Sequence, residues 1–174
     1  LLLMGKTMPA VVGRFHQDRA MLAHQGALHQ LGHSHQGADA KDIAIARDAV
    51  QLESTRTELE DEFPDAQVRA FAADVADAEQ RREIFDWVED LGDGLQILVN
   101  NAGSNARMPA MDYADAQWRE IFETNVFAAF ELSRFAFPLL SRHAASSIVN
   151  VGSVSGLEHV RTGLLEDHRV APRR

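Results

Sequence analysis

Two absences restrict what kind of site and location this sequence can have. There is no cysteine, so a disulfide, a zinc–thiolate site and a cysteine nucleophile are excluded. There is also no long hydrophobic run: Leu1–Met4 is apolar, but Gly5 and Lys6 end it before the roughly 7–15 apolar residues of a signal peptide. No other run approaches the roughly 18 apolar residues of a membrane helix. We therefore expect a cytoplasmic protein.

Positive charge is scarce as well. The chain has a formal net charge of −9 and a sequence pI of about 5.3. Because nucleic acids and anionic membranes bind basic surfaces, neither is an expected partner. What is present is ordinary for a globular protein: 174 residues, of which 45% are hydrophobic, suffice for one domain with a buried core.

Composition divides the chain near residue 41. Residues 1–41 form a biased segment without a helix or strand period, and five of the eight histidines fall within it: His16, His24, His29, His33 and His35. His29 and His33 have the i, i+4 spacing of a helical zinc or nickel site, so a histidine-rich metal-binding module is one hypothesis. No carboxylate or cysteine completes a standard ligand spacing, and no metal ligand is assigned.

From residue 42 the chain alternates between strand and helix patterns. The predicted strands are 42–46, 67–72, 95–99 and 147–151, and the predicted helices are 48–63, 78–91 and 115–140. Strands that alternate with helices and are themselves apolar predict parallel βαβ units. Because such connections are right-handed, the expected fold is a Rossmann-like, doubly wound α/β sheet with helices on both faces.

Polar residues follow the predicted strands at equivalent places. Arg47, Asp74, Asn101 and Ser153 each lie just past the end of a strand. Ligands of doubly wound sheets bind outside the carboxyl ends of the strands, so these four side chains are candidates for one site.

Three motifs resemble those of the short-chain dehydrogenase/reductase family. They are Asn100–Gly103 after one strand, Asn125 in the following helix, and Ser153 after the next strand. The amino-acid sequence around Val154–Leu157 resembles that of the tropinone-reductase-like members. The resemblance covers residues 42–163, a partial reductase domain, and leaves 164–174 as an unrelated tail. It implies hydride transfer between NADP(H) and a small carbonyl or alcohol.

The resemblance also implies six cofactor-contacting residues: Arg47, Asp74, Val75, Asn101, Ala102 and Gly103. The first matches a basic residue that pairs with the ribose 2′-phosphate, for which a guanidinium is suited by its forked donors. NADP is therefore the expected cofactor, with NAD possible. Asp74 and Val75 match the pair that contacts the adenine ring.

The implied catalytic residues are Ser153 and Asn125. Ser153 would hydrogen-bond the substrate oxygen, and Asn125 would hold a water in a proton relay. The helix 115–140 resembles the subunit-interface helix of the family and implies a homo-oligomer, or association with an intact homologue if the chain is a non-catalytic remnant.

The sequence departs from the family pattern in two places. Glu166 and Val170 occupy the positions of the family's catalytic tyrosine and lysine, and Tyr113 is the single tyrosine of the sequence. The glycines at 13, 26, 32 and 37 lack the spacing of the family's phosphate-binding turn. Compared with the family, the sheet is therefore expected to be incomplete, with the first strand and its glycine-rich turn and the last strands degraded or missing. We therefore expect impaired or absent activity, and we interpret the two flanks as out-of-frame translation of a reductase gene.

Overall fold

The computed structural model describes residues 2–4, 41–62, 64, 67–92, 94–106 and 108–152. The strands are β1 Leu2–Met4, β2 Lys41–Ala46, β3 Gln67–Ala72, β4 Ile97–Asn100 and β5 Ser147–Asn150. The helices are α1 Ala49–Glu62, α2 Ala78–Asp90, α3 Asp115–Phe122 and α4 Ala128–Leu140. A 3₁₀ turn, Ala110–Asp112, precedes α3, and a π-helical turn, Glu123–Phe127, joins α3 to α4.

These strands form one sheet in the order β3-β2-β1-β4-β5. β2 and β3 are parallel, as are β4 and β5, which confirms the predicted βαβ units. No strand pattern marks residues 1–41, yet β1 lies within them and runs antiparallel to both of its neighbours, with Leu3 opposite Ile43 and Leu98. A strand in either orientation can satisfy the backbone groups of β2 and β4, so this short apolar segment closes the sheet centre without being parallel.

The core lies on both faces of this sheet, as a doubly wound fold requires. On one face α2 and α4 pack over the sheet, with the largest apolar cluster around Ile45, Ile84, Leu98 and Leu132. On the other face α1 contributes Leu52 and Leu59 to a smaller cluster with Ala44 and Val68. β2 is buried on both sides because its successive side chains alternate between the two clusters.

Local signals explain where the helices begin and end. The Asp77 carboxylate accepts the amides of Glu79 and Gln80 at 2.8 and 3.1 Å, which caps α2. Gly92 and Gly94 have φ of 76° and 72°, and this left-handed backbone ends the helix before β4. In α1 the buried residues are Leu52 and Leu59, whereas Val50 is 83% exposed.

The predicted single helix 115–140 is interrupted by the π-helical turn. The amide of Ala128 donates to the carbonyl of Glu123, an i to i+5 bond that widens one turn. Such bulges are common at functional sites, and this one contains Asn125. Within the described ranges, no helix is both long and apolar enough to pass through a bilayer.

Candidate nucleotide-binding site

The carboxyl edge of the sheet gathers most of the predicted site residues. Arg47 directly follows β2, Asp74 lies two residues past β3, and Asn101 directly follows β4. The structure brings Arg47 and Asp74 into contact. Ser153 lies outside the described residues, although β5, which leads to it, ends at this same edge.

Arg47 and Asp74 form an ion pair at the ends of neighbouring strands. Nη1 of Arg47 donates to Oδ2 of Asp74 at 3.4 Å, and the two side chains are 50% and 32% exposed. Oδ1 of Asp74 accepts the amide of Ala76 at 2.9 Å, and the amide of Asp74 donates to Oε1 of Gln80 at 2.8 Å. Asp74 is therefore held in place by hydrogen bonds to Ala76 and Gln80, whereas Arg47 reaches it from the end of the neighbouring strand β2.

Val75 is buried next to this pair, and its carbonyl is bound by an arginine that the sequence analysis did not single out. Nη1 of Arg81 donates to that carbonyl at 2.6 Å. Its other nitrogens bind Glu123 at 2.7 Å and Glu131 at 2.8 Å, and its side chain is only 2% exposed. This charge cluster around the buried Arg81 ties the loop after β3 to the π-helical turn and α4. The signal was present, because Arg81 lies three residues before Ile84 on the apolar face of α2.

Asn125 tethers the loop that follows β4. Its Oδ1 accepts the amide of Ser104 and its Nδ2 donates to the carbonyl of Ser104, both at 2.8 Å. The predicted residues Asn101, Ala102 and Gly103 thus lie in a loop fixed at its far end. A Cβ at Gly103 would be 3.8 Å from Oδ1 of Asn125, an ordinary contact, so space alone does not require glycine there.

Asn100 joins β4, β5 and α4 near the same edge. Its buried Nδ2 donates to Oδ1 of Asn150 at 2.8 Å and to Oγ of Ser133 at 3.1 Å. The two asparagines occupy matched positions at the ends of parallel neighbouring strands. This contact fixes the end of the strand that leads to Ser153.

Tyr113 has a structural contact rather than a place at the strand ends. Its hydroxyl donates to the carbonyl of Ala106, which closes the loop before α3. In the part of the chain that the structure describes, no group of three or more His, Asp or Glu side chains could hold a metal ion. The histidine-rich segment considered for such a site lies outside that part.

Asp42 is a partly buried titratable group, away from the carboxyl ends of the strands. It lies near the start of β2, and burial raises its pKa from 3.8 to about 8. Its Oδ1 has no hydrogen-bond partner among the described residues. This carboxyl group is therefore largely protonated at neutral pH in the folded chain.

The fold and the site define a doubly wound α/β protein, a class whose ligands bind at the carboxyl edge of the sheet. The sequence pattern of the family described as short chain dehydrogenase matches residues 25–164. The chain belongs to the short-chain dehydrogenase family, which confirms the family and fold class expected from the sequence.

Plant relatives are similar to much of this chain. A tropinone reductase homologue of Arabidopsis thaliana is 36% identical over 97 residues, which cover 55% of this chain and 37% of the relative. Senescence-associated protein 13 of Arabidopsis thaliana is 35% identical over 125 residues, covering 71% of this chain and 46% of that protein. The chain thus spans less than half the length of these relatives.

Solved structures show the same fold with cofactor bound. L-Sorbose reductase from Gluconobacter frateurii, complexed with NADPH and L-sorbose, matches with a TM-score of 0.66 and 27% identity. The match covers 71% of this chain and 47% of that one. The RhlG/NADP complex of Pseudomonas aeruginosa matches with a TM-score of 0.65 and 27% identity, over 71% of this chain and 49% of that one.

Proposed function

We propose that this chain is the cofactor-binding part of a short-chain oxidoreductase that transfers hydride between NADP(H) and a small carbonyl or alcohol. The observation that carries the proposal is the Arg47–Asp74 pair at the carboxyl ends of two parallel strands. The NADPH and NADP complexes of similar structures support the choice of cofactor.

The residues present fit the adenosine end of such a cofactor. Arg47 is half exposed and uses one nitrogen on Asp74, which leaves the remaining guanidinium donors for the 2′-phosphate. Asp74 and Val75 would contact the adenine ring, and the loop of Asn101, Ala102 and Gly103 would lie beside the cofactor. When bound, the nicotinamide supplies the hydride.

In this proposal Ser153 and Asn125 serve the substrate end. Ser153 would donate a hydrogen bond to the substrate oxygen, where negative charge develops during hydride transfer. Asn125, through its two bonds to Ser104, would hold the loop between the cofactor and the substrate in place.

We further propose that turnover is impaired. The tyrosine present, Tyr113, is engaged with the carbonyl of Ala106, and Glu166 and Val170 stand at the family's tyrosine and lysine positions. Loss of a general acid costs roughly 10²–10⁴-fold in rate. Cofactor binding and catalysis should therefore be separable in this chain.

A fluorescence titration of the full chain with NADPH tests the cofactor proposal. We expect a saturable signal that weakens at least tenfold in Arg47→Ala, because the 2′-phosphate loses its charged partner. Arg142→Ala is the matched control: Arg142 is also an exposed arginine paired with one carboxylate, that of Glu89, but it lies at the opposite end of α4 from the π-helical turn. The absence of saturable binding in the unmodified chain would remove the proposal.

An apolar surface supports a second candidate function, association through α4 with a second copy or an intact homologue. Phe127, Phe130 and Phe137 are large, exposed and spaced along one side of the π-helical turn and α4. Exposed aromatic stripes of this kind mark protein interfaces. Sedimentation of the chain, alone and mixed with a full-length family reductase, tests it: Phe130→Glu should abolish any complex, and a monomer in both samples would refute it.

A further inference from the structure

We propose that Asp74 is a specificity-determining residue that lowers the preference for the 2′-phosphorylated cofactor. The proposal rests on the proposed function, in which Arg47 receives the 2′-phosphate. In this arrangement Asp74 occupies one donor of Arg47 and places a fixed negative charge beside the incoming phosphate. The chain should then accept both NADP(H) and NAD(H), with the balance set by the carboxylate.

Three hydrogen bonds fix Asp74 independently of Arg47. Its Oδ1 accepts the amide of Ala76 at 2.9 Å, its amide donates to Oε1 of Gln80 at 2.8 Å, and its carbonyl accepts the amide of Asp77 at 3.0 Å. Removing the carboxylate from the site would break the first of these bonds. The negative charge therefore stays when a ligand binds.

Arg47, in contrast, is loosely held. Its bond to Asp74 is long at 3.4 Å, and no other hydrogen bond of its side chain is formed among the described residues. Exposed ion pairs of this geometry restrict side chains weakly, so Asp74 contributes little by orienting Arg47. The guanidinium can turn its free donors to a phosphate while it remains next to the carboxylate.

The charge of Asp74 determines whether this residue strengthens or weakens binding of the 2′-phosphate. A phosphate bound to Arg47 lies within one Debye length of Asp74, about 8 Å at physiological ionic strength, because the two side chains touch. The pair has no net charge, so the phosphate meets a much weaker field than an isolated arginine would present. Repulsion by the carboxylate exceeds its small orienting effect, and removing that charge should strengthen 2′-phosphate binding.

The test compares adenosine 2′,5′-bisphosphate with AMP, which differ only in the 2′-phosphate. Calorimetric titration of the full chain gives the ratio of their affinities, from which any effect on adenine binding cancels. We expect Asp74→Asn to raise this ratio about 3- to 10-fold. Asparagine keeps an oxygen for the amide of Ala76, so the loop should be retained. Glu89→Gln, which neutralises the partner of Arg142, should leave the ratio unchanged.

A second measurement separates charge from orientation. The increase should shrink as salt is raised, and part of it should remain when Asp74→Asn is made in an Arg47→Ala background, because the carboxylate repels the phosphate with or without the arginine. An unchanged or lower ratio in Asp74→Asn would overturn the proposal, since it would make Asp74 neutral or a support for Arg47. A chain that binds neither nucleotide would refute the proposed function itself, and this inference with it.

Discussion

Arg81 and Arg47 are both paired with carboxylates, but the first arginine is buried and the second is half exposed. Arg81 is 2% exposed and uses all three nitrogens on Val75, Glu123 and Glu131, whereas Arg47 is half exposed and, among the described residues, has one long contact, to Asp74. Because Arg81 is buried and each of its nitrogens is bonded within the protein, it presents no exposed donor to a ligand. The comparison teaches that Arg81 has a structural role, and it supports the proposal that Arg47 binds the cofactor.

The largest expected effect comes from removing the buried arginine. Arg81→Ala should lower the free energy of unfolding by about 3–5 kcal/mol, because Glu123 and Glu131 would keep their charges in a partly buried place without a partner. Urea denaturation followed by circular dichroism measures this. A decrease in the free energy of unfolding below about 1 kcal/mol, as for an exposed pair, would show that the cluster is dispensable and that Arg81 does not differ from Arg47 in its structural role.

Asp42 extends the contrast to a partly buried carboxyl group. Its pKa of about 8 in the folded chain exceeds the unfolded value of 3.8, so folding takes up a proton between these values. Stability contributed by this group is present below about pH 4 and is lost as the pH rises toward 8. Asp42→Asn should therefore stabilise the chain at pH 8 by about 1–3 kcal/mol, with little effect at pH 4. Denaturation curves at both pH values check this, and an equal effect at both would contradict the protonated state.

Asn125 is an exposed side chain that forms two short hydrogen bonds, and replacing it measures what such bonds contribute. Asn125→Ala removes both bonds to Ser104 and should cost about 1 kcal/mol, since each exposed hydrogen bond contributes little. Its clearer effect should be local: the amide of Ser104 should exchange with solvent at least tenfold faster while α2 amides do not change. Uniform acceleration across the chain would instead indicate a global loss of stability.

The smallest effect belongs to the exposed pair of Arg142 and Glu89. Glu89→Gln should change the free energy of unfolding by less than about 1 kcal/mol, because solvent and salt screen such pairs. The same denaturation experiment as for Arg81 provides the measurement. A cost above about 2 kcal/mol would show that exposure does not separate weak from strong pairs in this protein.

Periodicity and end signals were enough to predict β2 to β5, α1 and α2, and to place Arg47, Asp74 and Asn101 just past strand ends. They could not predict β1, because three apolar residues give no period, or the π-helical turn, because a one-residue widening hardly changes a helical pattern. The Arg81 cluster was missed for another reason. The partners of Arg81 are Glu123 and Glu131, which are distant in sequence, and only the packing of α2 against the π-helical turn and α4 brings them together.

The contact between Asn100 and Asn150 has a consequence for how the sheet assembles. The two residues are opposite each other in parallel strands, so their amides meet in one alignment only. A shift of β5 by one residue would exchange the faces to which Ile148 and Val149 point and would leave the buried Asn100 amide without Asn150. The hydrogen bond between Asn100 and Asn150 therefore disfavours pairing of β4 and β5 in a shifted register, in addition to stabilising the folded sheet.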